Sequence, residues 1–329
     1  MAYLPPKYFL CLEHVLGRYA SFSSHLSDRT LSAARRQGAE GSAVVFLQLG
    51  RRICCPILSA FFFAERVPNQ VMPDGSQFAR YPSLKDRAVL ITGGATGIGE
   101  SLVAHFARQG ARVAFFDIQD EPAQALRKTL AAEGCPEPLY IHCDLTQLSV
   151  LRFAIDQAIA TLGAIDVLVN NAANDQRHAI EEVTPDFWDR SIATNLRPNF
   201  FAAQAVIPAM RAAGRGSIVN LSSISWIIPT TGLPVYIAAK AAIVGLTRTL
   251  AHELGPHGIR VNAVLPGAIA TERQQRLWYT PEQVERILAN QALKRQLEPA
   301  EVARLVLFLA ADDSSAITSQ SYVVDAGWV

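Results

Sequence analysis

Tyr236 and Lys240 lie four positions apart in the stretch GSIVNLSSISWIIPTTGLPVYIAAK, Gly216 to Lys240. On a helix that spacing puts both side chains on one face, about one turn from each other. A phenol beside an ammonium has its ionised form favoured, which predicts a lowered pKa for Tyr236. A phenol tuned in that way can take the proton of an alcohol or return it to a carbonyl. Ser217 to Leu221 reads as a buried strand whose end delivers Ser222 and Ser223, so a serine hydroxyl can hold the same oxygen. This is a proton-handling centre for an oxidoreductase, provided a hydride acceptor binds nearby. Tyr-x3-Lys alone is weak evidence, because a packed tyrosine and a solvated lysine at that spacing are more commonplace.

The surrounding chain supplies the context. Ala88–Thr92 is a short apolar strand followed at once by GGATGIG and a helix over Ile98–Gln109. Strand Arg112–Phe116 ends at Asp117, and helix 121–133, strand Leu139–His142, helix Leu148–Leu162 and strand Ile165–Val169 follow. A long helical region, 184–213, is expected to break near Pro198. Beyond the Tyr236 helix come strand Ile259–Val264, helices Pro281–Asn290 and Pro299–Ala310 with Pro in the first turn, and strand Tyr322–Val324. Short apolar strands alternating with helices predict an α/β fold: one Rossmann-type, doubly wound sheet of seven parallel strands with helices on both faces.

Gly93, Gly97 and Gly99 sit between the first strand and the first helix, where glycine permits a tight turn and close approach of a pyrophosphate. The helix N-terminus beyond them offers N–H groups and partial positive charge to phosphates. Asp117, 20 residues after Gly97, can bind adenosine ribose hydroxyls and repel a 2′-phosphate. No Arg or Lys stands in the loop or in the two residues after Asp117, so NAD is expected over NADP. The competing account of Asp117 is a strand-end turn residue.

Formal net charge is +1 and no basic block is present, so no nucleic-acid partner is expected. The five cysteines, Cys11, Cys54, Cys55, Cys135 and Cys143, form no C-x2-C pair, which points to neither a zinc site nor a disulfide framework. No metal is expected, and a reducing, cytoplasmic location is. Residues 1–71 differ from the rest: eight basic side chains against four acidic, one lysine, and no lasting periodicity. Their apolar runs, Ala43–Leu49 and Ile53–Ala64, are split by Arg51-Arg52 and too short to span a bilayer, so no membrane partner is expected. They read as a poorly ordered extension before a dinucleotide-binding catalytic domain over 72–329. Translation starting at Met72, a targeting or tether segment, and an ordered accessory element are the accounts of it, in that order of preference.

The loop Thr92-Gly93-x3-Gly97-x-Gly99, Asn170-Asn171-Ala172, Asn195, Ser223, Tyr236-x3-Lys240 and Pro266-Gly267 resemble the short-chain dehydrogenase/reductase family from Tyr81 to Val329. The resemblance implies Tyr236 as general acid/base, Lys240 on the nicotinamide ribose and lowering the tyrosine pKa, Ser223 on the substrate oxygen, and Asn195 anchoring a relay water. It also implies a cofactor site of Gly93, Gly97, Ile98, Gly99, Asp117, Asp144, Leu145, Asn171, Tyr236, Lys240, Pro266, Gly267, Ile269 and Thr271. Asp144-Leu145 would line the adenine and Thr271 would touch the nicotinamide amide. A homo-oligomer, dimer or tetramer, is the family expectation. Ala173 and Ala326 depart from the pattern by standing where glycine is usual, which alanine can do only at negative φ.

More narrowly, NNAANDQRH (170–178), LSSISW (221–226), TERQQRLWYTPE (271–282) and DAGW (325–328) are similar to NAD-dependent aldose 1-dehydrogenases acting on xylose or arabinose. A sugar site wants several hydrogen-bonding side chains and an aromatic face. Asn174, Gln176, His178, Trp226, Arg273 and Trp278 are the substrate candidates, with Arg177 and Gln274 beside them. Plainer accounts compete: Trp226 packing a sheet edge, Arg177 pairing with Glu181 or Glu182, His178 as a loop hydrogen-bonder, and Thr280 as a helix cap. The rival activity is reduction of a 3-oxoacyl thioester or another ketone on the same scaffold.

Overall fold

The computed structural model describes residues 78–329. The reading of residues 1–71 as an extension therefore lies outside the described residues. Seven strands form one sheet: β1 (Ala88–Thr92), β2 (Arg112–Asp117), β3 (Leu139–His142), β4 (Val167–Asn170), β5 (Gly216–Leu221), β6 (Ile259–Pro266) and β7 (Ser321–Val324). All pairs are parallel and the order is β3-β2-β1-β4-β5-β6-β7, the expected doubly wound sheet.

Side-chain parity explains why both faces must be covered. Val89, Ile91, Val113, Phe115, Val169 and Val219 point to one face, and Ala88, Leu90, Ala114, Phe116, Leu168 and Ile218 to the other. Both sets are buried, so polar–apolar alternation is missing and the strands read as continuous apolar runs. On the first face pack α1 (Gly97–Arg108), α2 (Asp120–Ala132) and α9 (Pro299–Ala310), through residues such as Phe106, Leu130 and Val306. On the second pack α3 (Leu148–Leu162), α5 (Arg197–Ala213) and α6 (Pro234–Leu254), through Ile155, Val206 and Leu254. No helix among the described residues is long and apolar enough to cross a membrane.

Two local departures from the sequence reading have clear causes. The long helical region splits into α4 (Pro185–Asn195) and α5 at Leu196, whose φ of −131° leaves the helix, two residues before the expected Pro198. A proline ring crowds the carbonyl four residues back and offers it no N–H, so the interruption falls upstream of the proline itself. Pro198 instead lies in the first turn of α5, where no N–H is needed. The second departure is α7 (Glu272–Leu277), a six-residue helix in a segment with no apolar stripe. Thr271 Oγ1 caps it by accepting from Gln274 N at 3.2 Å, a Thr-x-x-Gln spacing that the sequence reading did not use. Helix α8 (Pro281–Asn290) opens on Thr280, whose Oγ1 accepts from Gln283 N at 3.3 Å, as its sequence spacing predicts.

Ala326 corrects a third expectation. Ala173 keeps a negative φ, but Ala326 adopts φ of +60°, the left-handed region in which alanine is strained. The Asp325 carboxylate holds the turn by accepting the N–H groups of Gly327 (2.8 Å), Trp328 (3.1 Å) and Val329 (2.9 Å). The Ala326 carbonyl accepts from Ala292 N at 2.8 Å and Leu293 N at 3.0 Å. With the turn over-determined, Ala326→Gly is expected to relieve strain at a smaller entropic cost, raising stability by about 0.5–1 kcal/mol. A urea midpoint that moves up at constant m-value checks this, and a lower midpoint contradicts it.

Candidate active site

The strand order reverses between β1 and β4, and the crevice beyond their carboxyl ends is where open α/β sheets bind ligands. Thr92 and Asn170 pair across that junction. Thr92 Oγ1 accepts from Asn171 N (3.0 Å) and Ala172 N (3.1 Å), while Asn171 Nδ2 donates to the carbonyls of Thr92 (3.0 Å) and Gly93 (2.8 Å). Asn171 thus clamps the glycine loop to the end of β4.

The glycines are there because nothing larger fits. Gly93 and Gly97 have φ of +67° and +60°, and a Cβ on Gly99 would lie 1.7 Å from the Gly93 carbonyl oxygen. A Cβ on Gly97 would meet Thr271 Cγ2 at 3.1 Å, so the segment after β6 closes against the glycine loop. Thr96 precedes α1 without a side-chain cap, and of the leading N–H groups of the helix that of Gly97 faces the Glu100 carboxylate. Asp117 is buried, its Oδ2 accepting from Ala95 N (2.9 Å) and its Oδ1 from Ile118 N (2.8 Å) and Gln119 N (3.1 Å). It is a strand-end turn residue and a carboxylate against the glycine loop at once. Asp144 lies in the turn before α3: its Oδ1 accepts from Thr146 Oγ1 (2.7 Å) and Thr146 N (2.9 Å), and the Thr146 hydroxyl holds its pKa below the usual carboxylate range. Leu145 is buried, and Ile98 packs partly buried against the core under α1.

At the end of β6, Gly267 N donates to the Val324 carbonyl at 2.9 Å, and a Cβ there would lie 2.6 Å from Asp325 Cβ. Pro266 closes the strand, buried Ile269 bridges to Leu297, and Thr271 caps α7.

The acid/base pair lies between β5 and α6. Lys240 is buried, its Nζ donating to the Leu221 carbonyl at 2.8 Å, and Ser222 Oγ donates to the Lys240 carbonyl at 2.7 Å. Lys240 Nζ is 5.5 Å from the Tyr236 ring centroid, as the four-residue spacing requires. Ser223 Oγ accepts from Ser225 N at 3.1 Å and is also the hydrogen-bonding neighbour of the Tyr236 hydroxyl. The expected lowering of the tyrosine pKa is not what this arrangement produces. Burial pushes Tyr236 well above its ordinary value and Asp175 adds to the rise. Ser223, Arg177 and Arg273 pull the other way without overcoming it. Burial also pulls the Lys240 ammonium down to about 8, against a smaller opposite effect of Asp175. Desolvation of each ion outweighs what a positive neighbour offers the phenolate.

Asn195 is buried with its amide committed to the loop after β4. Its Oδ1 accepts from Asn174 N (2.8 Å), and its Nδ2 donates to the Asn174 carbonyl (3.1 Å) and Ser191 Oγ (3.3 Å). Any water it anchors must therefore meet its main-chain carbonyl or the remaining lone pair of Oδ1.

Three of the six substrate candidates fall into two patterns. Arg273 Nη2 donates to Asn174 Oδ1 at 3.1 Å, and Trp278 carries the Arg177 guanidinium over its ring at 5.2 Å. Arg177 thus stacks on Trp278 where the plainer sequence account paired it with glutamate. His178 is buried against Phe187, with Val235 N donating to its Nε2 (3.5 Å); the proton assigned to Nδ1 then points at the Gln176 carbonyl (2.9 Å). It ties the loop to the start of α6. Gln176 is exposed, and Trp226, 37% exposed, ends the short turn Ile224–Trp226 after Ser223 without joining either pattern.

Asp175 was passed over in the sequence. Its Oδ1 lies 3.2 Å from Arg273 Nη2, its Oδ2 accepts from Gln274 Nε2 at 2.7 Å, and its charge raises the pKa of Tyr236, Lys240 and Tyr279. The one available signal was a carboxylate inside an otherwise neutral and basic loop, Asn174 to His178.

A family model described as Enoyl-(Acyl carrier protein) reductase matches residues 93–329. A protein described as "Probable galactose dehydrogenase GalD" from Rhizobium meliloti is 51% identical over 249 residues, 76% of this chain and 97% of that one. D-xylose 1-dehydrogenase from Caulobacter vibrioides is 51% identical over 250 residues, 76% of this chain and 98% of the other. Among solved structures, a 3-oxoacyl-[acyl-carrier protein] reductase with bound NAD from Brucella melitensis superposes with a TM-score of 0.70 at 36% identity, covering 76% of this chain and 94% of that one. Two relatives at half identity, matched over nearly their whole length and joined to a Tyr236–Lys240 pair beside a glycine loop, mean that this chain belongs to the short-chain dehydrogenase/reductase family.

Proposed function

We propose that this protein oxidises C1 of a cyclic aldose, a pentose such as xylose or arabinose, with NAD and releases the lactone. The observation that carries the reading is the polar wall beside Tyr236, where Asn174, Asp175, Arg273 and Gln274 meet with Trp278 and Arg177 behind them. Among the described residues, Arg273 Nε, Trp278 Nε1 and Ser225 Oγ are buried without a hydrogen-bond partner, which leaves the polar capacity of this wall incompletely used. The half-identical relatives are described as a galactose and a D-xylose 1-dehydrogenase, which supports the same substrate class. The rival, reduction of a 3-oxoacyl thioester, has support from a structural neighbour at 36% identity. A panel of sugars and 3-oxoacyl thioesters, followed by NADH absorbance, decides between them: pentose oxidation supports the proposal, and thioester reduction without sugar turnover overturns it.

The residues present fit a nicotinamide dinucleotide. The left-handed Gly93 and Gly97 and the Gly99 approach leave backbone room for a pyrophosphate, and the leading N–H groups of α1 suit its charge. Asp117 would meet the adenosine ribose, Asp144 and Leu145 the adenine, and Lys240 the nicotinamide ribose; Ile98, Asn171, Pro266, Gly267, Ile269 and Thr271 complete the cleft. When bound, the cofactor supplies the hydride acceptor. Tyr236 accepts the proton of the C1 hydroxyl as C1 gives up its hydride, leaving the C1=O of the lactone. Ser223 donates to the same oxygen, and Asn195 keeps the loop after β4 in place through Asn174. A cytoplasmic location and a homo-oligomer belong to the same proposal. Free thiols at Cys135 and Cys143 and exposed aromatic side chains at Phe153, Trp188 and Phe200 are compatible with them.

Three outcomes are expected. With Asp117 set against the glycine loop, a 2′-phosphate would meet like charge in a partly dry site, so NAD should exceed NADP by at least about tenfold in kcat/KM, roughly 1.4 kcal/mol. Equal turnover with both would sink the role given to Asp117. Tyr236→Phe keeps the ring and deletes the proton carrier, so kcat should fall by about 10³-fold or more while NADH binding, read by fluorescence, survives. A loss within threefold means that the proton travels by another route.

The third outcome concerns pH. Tyr236 is raised above its ordinary value, so its basic form accumulates only as pH rises, and sugar oxidation should climb from neutral into alkaline solution. Lys240 is positive below about 8, and there it favours the phenolate. Lys240→Ala should therefore move the rising limb to higher pH, with the difference fading above about 8. A shift toward lower pH contradicts it.

A further inference from the structure

Helix α7 has no buried residue, and a helix of six residues is not stable by itself. Apolar packing therefore does not hold it in place. What does is a set of polar links to the loop after β4, made by residues 99 apart in sequence. Asp175 Oδ1 faces Arg273 Nη2 at 3.2 Å and Asp175 Oδ2 accepts from Gln274 Nε2 at 2.7 Å. The same Nη2 donates to Asn174 Oδ1 at 3.1 Å, and Arg177 lies over the Trp278 ring at the far end of α7. The loop side of this junction is rigid. Asn174 is bonded through both its N–H and its carbonyl to buried Asn195, and His178 ties the loop to α6. A fixed loop thus grips a helix that buries no residue of its own and is otherwise held only at its flanks, by the Thr271 cap and by Tyr279 Oη donating to the Ile269 carbonyl at 3.2 Å. Among the described residues the one side chain bonded to two α7 residues is Asp175.

We propose that Asp175 is a positioning residue whose carboxylate clasps α7 to the loop after β4, and so holds the wall of the substrate pocket beside Tyr236. The pocket in this statement rests on the aldose reading above; the clasp itself does not. Asp175 neither takes the proton nor receives the hydride. Its side chain is 18% exposed, so its bonds to Arg273 and Gln274 are partly shielded from water, and its charge is felt at Tyr236, Lys240 and Tyr279 alike. Removing it loosens α7, which keeps its Arg273–Asn174 and Arg177–Trp278 contacts, and breaks no hydrogen bond of the glycine loop or of the Lys240 anchor. Sugar binding is then expected to suffer while cofactor binding does not.

The test is amide hydrogen exchange of residues 272–278 in the full chain, without substrate, for four variants. These are Asp175→Ala, Asp175→Asn, Arg273→Ala with Gln274→Ala, and those two combined with Asp175→Ala. Asp175→Ala should speed exchange there by about tenfold or more, with Asp175→Asn in between because the amide keeps one acceptor. The triple variant should exchange no faster than the double, since both remove the same clasp. In kinetics, Asp175→Ala should raise the sugar KM by at least about fivefold and leave the NAD KM within about twofold. Unchanged exchange in Asp175→Ala, or losses that add in the triple variant, would overturn the clasp. The exchange experiment needs no turnover. A wild-type protein that oxidises no sugar therefore refutes the functional proposal alone, and sugar turnover with unchanged exchange refutes the clasp alone.

Discussion

A charged ammonium placed where water cannot follow is the constraint on which this site depends. Lys240 is 2% exposed, and a buried cation is tolerated only where hydrogen-bond acceptors meet it. The Leu221 carbonyl at the end of β5 meets it, and Ser222 returns a bond to the Lys240 carbonyl. These two bonds run in opposite senses between strand end and helix, so α6 can neither slide along nor rotate against β5 without breaking one. Tyr236 sits one turn from Lys240 on that helix and Ser223 one residue past Ser222. The geometry of the acid/base and of the hydroxyl that faces it thus follows from satisfying one buried charge.

Beneath that anchor runs a second line of buried polar groups. Asn170 Nδ2 donates to Asn220 Oδ1 at 2.9 Å and to the Asn199 carbonyl at 3.3 Å, and Asn220 Nδ2 donates to Thr247 Oγ1 at 2.9 Å. The chain links β4, β5, α5 and α6 through side chains that are nearly or fully buried. Each such group is costly unless bonded, and this register of the elements pairs all of these atoms except Asn170 Oδ1. That register brings the Asn171 clamp under the glycine loop and the β5 serines level with it. Cofactor cleft and proton-handling pair therefore share one rigid floor, while the wall over it, α7, has no such floor of its own.

Much of the fold was legible because it rests on local pattern. Apolar runs such as Ala88–Thr92 and Val113–Phe116 between helical stretches require a parallel sheet covered on both faces. The glycine loop announces itself, since a Cβ at Gly99 cannot coexist with the Gly93 carbonyl. Helix α7 was not legible by periodicity, because six polar-rich residues bury nothing and leave no stripe to detect.

By itself, the sequence determined which elements form, that they build one parallel sheet, that Tyr236 and Lys240 share a helix face, and that Ser223 follows a strand end. These are consequences of spacing within a turn or a strand. Tertiary structure alone decided how the groups behave. Burial from several elements, with the charge of Asp175 added, raises the Tyr236 pKa where neighbouring Lys240 predicted a fall. Asp175 meets Arg273 and Gln274 across 98 and 99 residues of chain, contacts that no local spacing encodes. Ala326 accepts a left-handed backbone because Asp325 and the N–H groups of Ala292 and Leu293 hold it there. Pattern sets an element's shape through forces that act over a few residues. Desolvation and charge act through space, and they depend on which distant residues the fold brings together.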